Sequence, residues 1–241
     1  MKWIFVIMGM LTAVATSTVI VSAQNPFSLD SISLPPAFPG LHPQEPDSTV
    51  INTLTETDFY EVAEELGVEV AAIKAVVEIE AGKTHQGFSA PMKPLINFDL
   101  GMFRKLAPRY GVKLSDYYAS HPSVFKAASR TQSAVNKRLE SAMTINRDLA
   151  AESTFWGMFQ IGGFNWQKCG TESIDEFITL MSRSERDQLE LFARFITNTG
   201  LLKYLKSKNW AAFARGYNGN SYAARGYHTK LANAYRKYKG K

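Results

Sequence analysis

The sequence predicts a mainly α-helical domain behind an export segment and a proline-rich spacer. Three observations carry this reading. From Thr55 onward, apolar residues recur at intervals of three and four. Capping residues and glycines bracket those runs. No stretch sustains the apolar–polar alternation of a half-buried strand, which leaves room for one small hairpin near Phe88 to Ile96.

The first segment, residues 1–23, reads as a signal peptide. Lys2 supplies a positive start, Trp3 to Val21 is uncharged and mostly apolar, and Val21-Ser22-Ala23 offers small residues before a cut at Gln24. The apolar run is also long enough to stay as an uncleaved anchor. Either outcome places the domain outside the cytoplasm, in the periplasm or beyond the cell, with the N-terminal segment crossing the membrane during export. No cysteine follows the run, so lipid attachment there is excluded. Residues 24–53 hold six of the ten prolines and cannot present a regular apolar face, so they read as a linker. Residues 54–241, about 190 residues, are enough to bury a full core.

Within that domain, Phe59, Val62, Ala63 and Leu66 mark one face of a helix that Gly67 ends. Val70, Ile73, Val77 and Glu80 share a face of the next, which stops near Gly82. On its outer side Lys74 and Glu78 have the spacing of a surface ion pair. Ser173 to Glu176 has the pattern of a capping box, and Ser184 to Asp187 opens another helix, with Leu189, Phe192, Phe195 and Ile196 inward and Gly200 at its end. Trp210, Phe213 and Ala214 begin a further helix.

Composition narrows the chemistry. The net charge is +5, and residues 201–241 hold ten Lys or Arg and no Asp or Glu. A surplus that local suits a polyanionic partner, and export argues against nucleic acid. The last six residues, Arg236 to Lys241, read as a solvated basic tail. Cys169 is the only cysteine, and His42, His85, His121 and His228 are dispersed, so neither a metal nor a cofactor is expected.

Three clusters bear polar groups amid apolar ones. Glu80 shares a face with Ile73 and Val77 and sits in the last turn of its helix. Burial and the negative helix end both disfavour its charge, which suits a group that must donate a proton near neutral pH. A frayed, solvent-facing glutamate fits the same pattern. The second cluster runs from Glu152 to Trp166 and mixes aromatics, closely spaced glycines and the amides Gln160 and Asn165. It suits sugar binding, or else a core helix ending in a turn with Trp156, Phe159 and Phe164 as packing residues. In the third, Gly216 and Gly219 bracket Tyr217 and Asn218 in an apparent turn, with Tyr222 and Tyr227 following.

In this order the clusters resemble the N-acetylmuramidase family of phage endolysins and bacterial cell-wall hydrolases. The stretches that carry the resemblance are VVEIEAGKTHQGF, KPLINFDLGMF, ESTFWGMFQIGGFNWQKCG and NWAAFARGYNGNSYAARGYHTKLANAY, within Phe59 to Tyr238. More distantly, Glu80-Ala-Gly, Gly157-Met-Phe-Gln160 and Gly216-Tyr-Asn-Gly219 resemble three motifs of the wider lysozyme-like superfamily, lytic transglycosylases included. The resemblance implies a lysozyme-like helical domain, acting as a monomer on peptidoglycan glycan strands. It implies Glu80 as the catalytic acid, with Met158, Phe159 and Gln160 as cleft wall and Tyr217 and Asn218 positioning substrate; Trp156 is a further candidate for substrate binding. Where family members read Glu-Ser-Gly-Gly and Phe-Glu-x-His, this chain has Glu80-Ala-Gly-Lys83 and Phe98-Asp99-Leu-Gly101. Two carboxylates, Asp99 and Glu152, remain candidates for the acid's partner, Asp99 foremost as an accessory group. Three functions follow: hydrolysis between N-acetylmuramic acid and N-acetylglucosamine, lytic transglycosylation of the same bond, or peptidoglycan binding without catalysis.

Overall fold

The computed structural model describes residues 50–81, 86–126, 129 and 131–240. The expected signal peptide, nearly all of the linker and residue 241 lie outside the described residues. None of the described helices is long and apolar enough to cross a membrane.

Helix α1 (Glu56–Leu66) starts at Thr55, whose hydroxyl and the Asp58 carboxylate cap each other's backbone, and it ends at Gly67 with φ 61°. Helix α2 (Val70–Glu80) buries Ala72, Ile73, Ala75, Val76 and Val77. After it come a hairpin of β1 (Phe88–Ala90) and β2 (Lys93–Pro94), then β3 (Ile96–Phe98) and α3 (Leu100–Leu106). Short helices α4 (Pro122–Phe125), α5 (Gln132–Met143) and α6 (Arg147–Glu152) lead to β4 (Thr154–Trp156), β5 (Ile161–Gly162) and a 3-10 stretch over Gly163–Cys169. Helices α7 (Ile174–Arg183), α8 (Glu185–Asn198), α9 (Leu202–Lys206), α10 (Trp210–Asn218) and α11 (Tyr227–Lys239) complete the domain.

Helix α8 is the axis of the core. Glu185, Asp187, Gln188 and Glu190 are buried along with the apolar Leu189, Leu191, Phe192, Ala193 and Ile196, so it is enclosed on nearly every side. Each large apolar side chain among them contributes roughly 2 kcal/mol by leaving water. Its first turn also ties down the chain's entry: Glu185 accepts hydrogen bonds from Leu54 N (3.0 Å) and Gly87 N (2.8 Å). The capping pattern at Ser173 is only half realised. Ser173 Oγ accepts from Glu176 N, but the Glu176 carboxylate turns to Glu172 N instead.

Two sequence expectations are corrected here. Lys74 and Glu78 do not pair. Lys74 binds Glu56 on α1, and Glu78 accepts from Lys237 Nζ (2.5 Å) and Tyr238 Oη (2.7 Å) on α11. Partners on neighbouring helices displace the local pair because α1 and α11 flank α2. For the same reason Arg236, Lys237 and Lys239 are not a solvated tail but the last turn of a docked helix, with Lys239 3.3 Å from Glu69.

The expected hairpin near Phe88 is present, and a second sheet joins it. Strand β4 pairs antiparallel with β3 (Ile96 opposite Trp156, Phe98 opposite Thr154) and with β5 (Phe155 opposite Gly162). These strands are two or three residues long, too short to show alternation in the sequence. Their pleat nevertheless decides the site: Thr154 and Trp156 point into the core at 0% and 4% exposure, while Phe155 points to the opposite face.

Candidate active site

A cavity of about 140 Å³ opens where α2, the β4–β5 turn, α8 and α10 meet. Glu80 lies in its wall as the last residue of α2, with the helix closed by the Ala81 N–H bonding to Val77 O at 2.8 Å. Removal from water pushes its carboxyl up from 4.5 to about 7, and the amide of Asn218, 3.2 Å from Oε1, pulls weakly the other way. The unfavourable helix end acts in the same direction as burial. Glu80 is therefore a carboxylic acid poised to hold its proton close to neutral pH.

The β4–β5 turn forms the facing wall. Gly157 at φ 70° and Gln160 at φ 48° reverse the chain, and Gln160 Nε2 donates to Gly157 O at 2.8 Å. A left-handed glutamine costs conformational energy and is held by its surroundings. The holder is Gln188 of α8, fully buried, whose Oε1 accepts from Met158 N (2.7 Å) while Nε2 donates to Met181 O (2.8 Å) and Gly87 O (3.3 Å). A Cβ at Gly157 would stand 2.7 Å from Gln188 Oε1 and one at Gly87 2.4 Å, so both glycines are needed where they are. Met158 is a core residue that does not reach the cavity, whereas Phe159, buried and stacked on Phe192 at 4.4 Å, forms part of the cavity wall as expected.

Tyr217 and Asn218 occupy the final turn of α10, not a separate loop, and Gly219 at φ 72° ends it. The Tyr217 hydroxyl donates to Phe159 O at 2.8 Å, and its ring packs among Phe192, Phe195 and Phe213. Its single proton is thus used in fixing the turn. Burial, with the nearby Glu80 charge adding to it, pushes the Tyr217 phenol well above its ordinary range. Asn218 reaches Glu80, and Gln160 and Asn165 both line the cavity.

Three sequence-predicted residues are not brought to this cavity. Trp156 is 4% exposed and its indole N–H donates to Ala151 O at 3.0 Å, so it is a core residue by the register of β4. Asp99 caps α3, accepting from Met102 N at 2.9 Å. Glu152 accepts from Trp166 Nε1 at 3.0 Å and from the Tyr110 hydroxyl. Among the described residues, Glu80 is the one carboxylate lining the cavity. Nor do they hold any group of three His, Cys, Asp or Glu placed for a metal ion.

The structure adds residues that the sequence did not single out for binding. Phe155 stands on the cleft face of β4, edge-on to Phe164 at 6.0 Å, and Phe164, read as a packing residue, is 38% exposed on the cavity rim. Gly162 makes this possible, since a Cβ there would stand 2.3 Å from the Phe164 ring. Arg225 and Tyr227, hydrogen-bonded to each other, also line the cavity. The cavity so assembled offers an acid, amide hydrogen-bonding groups, aromatic faces and the Arg225 guanidinium, a combination that suits a hydroxyl-rich ligand with an oxygen to be protonated.

Comparison with known proteins agrees. The profile of the N-acetylmuramidase family matches residues 69–239. The crystal structure of the Burkholderia AP3 phage endolysin superposes with a TM-score of 0.69 at 34% identity, over 79% of this chain and 73% of the endolysin chain. A comparison with curated proteins returns no match. The mainly helical domain with its small antiparallel sheets is lysozyme-like. Extending over most of the chain and including every residue of the cavity, the family match shows that this chain belongs to the N-acetylmuramidase family, glycoside hydrolases of the lysozyme type.

Proposed function

We propose that this peptidoglycan hydrolase cleaves the β-1,4 bond between N-acetylmuramic acid and N-acetylglucosamine, with Glu80 as general acid. The observation that carries the proposal is a carboxyl pushed up to about 7 in the wall of the family's matched cavity. Glu80 protonates the departing glycosidic oxygen as the bond to the anomeric carbon breaks. Asn218 orients the Glu80 carboxyl, Gln160 and Asn165 offer hydrogen bonds to hydroxyl or acetamido groups, and Phe155 and Phe164 offer apolar faces to a sugar ring. Asp99 and Glu152 have structural duties instead, so charge building on the sugar is met by the substrate's own acetamido oxygen. Water then attacks the anomeric carbon, displacing that oxygen and giving its proton to the Glu80 carboxylate, which restores the acid. The route outward is the segment 1–23, followed by the linker 24–53 and the catalytic domain 54–241, working as a monomer.

The single carboxylate also favours a second reading, lytic transglycosylation, in which Glu80 returns as base and a 1,6-anhydro sugar forms. Mass spectrometry of muropeptides released from purified peptidoglycan separates the two. Hydrolysis gives products one water heavier, with N-acetylmuramic acid at the reducing end; anhydro products would replace the hydrolase reading with the transglycosylase one.

A further inference from the structure

Most of the basic side chains in residues 201–240 that have acidic partners spend their charge inside the domain: Lys208 and Lys239 on Glu69, and Lys237 on Glu78. Lys203 and Arg215 are placed differently. Both are exposed, and both line an open groove of about 710 Å³ between α9, α10 and the turn at 220–222. Tyr204 and Tyr222 form parts of its walls, with Lys203 Nζ 5.0 Å from the Tyr204 ring centre. Asn209 is also part of the lining, and its Oδ1 caps α10 by accepting from Ala212 N (3.1 Å). Among the described residues, no Asp or Glu lines the groove.

The groove and the cavity that holds Glu80 are walled by neighbouring residues of the same two stretches of chain, the end of α8 and the second half of α10. Gly216 lines the groove and the next two residues, Tyr217 and Asn218, line the cavity; at the end of α8, Phe195 lines the cavity and Thr199 the groove. Two cations with amide and phenol groups suit carboxylates carried on a flexible polar chain. On a glycan seated at Glu80, such carboxylates belong to the peptide branches of N-acetylmuramic acid.

We propose that this groove binds the peptide branches of the glycan strand through their carboxylates, with Lys203 and Arg215 as the charged contacts. The proposal rests on the peptidoglycan reading of the cavity. It makes the protein discriminate between peptide-bearing strands and strands stripped of peptide.

The test uses the full chain and the variant Lys203→Ala/Arg215→Ala on both kinds of soluble strand. The variant is expected to lose about tenfold in kcat/KM on peptide-bearing strands, through KM, and to stay within about twofold on stripped strands. Lys105→Ala/Arg109→Ala removes the same charge from exposed positions on α3 and the turn after it, and is expected to show no such discrimination. Equal loss on both substrates, or no loss on either, would overturn the proposal. Calorimetric titration with the acidic peptide released from the wall by an amidase reads the groove without catalysis. A Kd about tenfold weaker in the groove variant supports the site, and an unchanged Kd or no binding by the native chain refutes it. If the native chain cleaves neither strand, the catalytic reading fails while this titration still decides the groove.

Discussion

Asn218 Nδ2 donates to Glu80 Oε1 across 3.2 Å, joining the last turn of α10 to the last residue of α2. The bond favours the carboxylate, while burial favours the acid and prevails, leaving the group at about 7. Glu80 is then protonated below about pH 7 and loses its proton as pH rises through that value. The kcat/KM profile should fall on its basic side there. Asn218→Leu keeps the cavity dry and removes the donor, so the basic limb should move up by about half a unit to one unit. A downward shift in the pH profile would contradict this balance of forces.

Asp99 is expected to matter for folding rather than for the chemical step. Asp99→Asn keeps an effective N-cap, so both Tm and kcat should remain close to native. Asp99→Ala should cost about 1 kcal/mol in denaturant melts, with activity per folded molecule retained. A collapse of kcat in Asp99→Asn, with the fold intact, would restore Asp99 as a catalytic group.

Gln188 links the turn at 157–160 to the backbone at Gly87 and Met181. Gln188→Leu leaves Met158 N–H and two carbonyls without this partner, a cost of about 2–4 kcal/mol in equilibrium unfolding. Gly157→Ala should destabilise as well, since it adds a side chain at φ 70° and 2.7 Å from Gln188 Oε1. In both variants kcat should fall at temperatures where the protein is still folded, because Gln160 sits on the turn they loosen.

Trp156 and Phe164 should separate stability from binding. Trp156→Phe gives up the hydrogen bond to Ala151 O and is expected to cost about 1–3 kcal/mol with KM nearly unchanged. Phe164→Ala should leave Tm within about 2 °C and raise KM for glycan strands several-fold. The reverse pattern would mean that the pleat of β4 has been misjudged.

That pair also shows how far the sequence could be read. The position of Glu80 on its helix was legible because Val70, Ile73 and Val77 recur on its face over a full eleven-residue element. The strand that sorts Phe155 from Trp156 is three residues long, and three residues carry no detectable period. Lys74 and Glu78 had ideal helical spacing, yet each found a partner on another helix, which no local pattern encodes. Gln160 and Asn165 were legible as amides in apolar company; Arg225 was not, since it enters the site only through the packing of the chain between α10 and α11.

The assignment of Glu80 is tested most directly by the release of reducing ends from purified peptidoglycan by Glu80→Gln, measured at pH 6 beside the native enzyme. Folding is checked by Tm across pH. Because its folded value lies above 4.5, native Glu80 costs stability as pH rises from about 4.5 to about 7, so the variant should match the native Tm near pH 4 and exceed it at pH 8. With the fold so verified, the rate of reducing-end release should drop by about 10²–10⁴. A folded Glu80→Gln protein that cleaves within tenfold of the native rate would contradict the account and place the acid elsewhere.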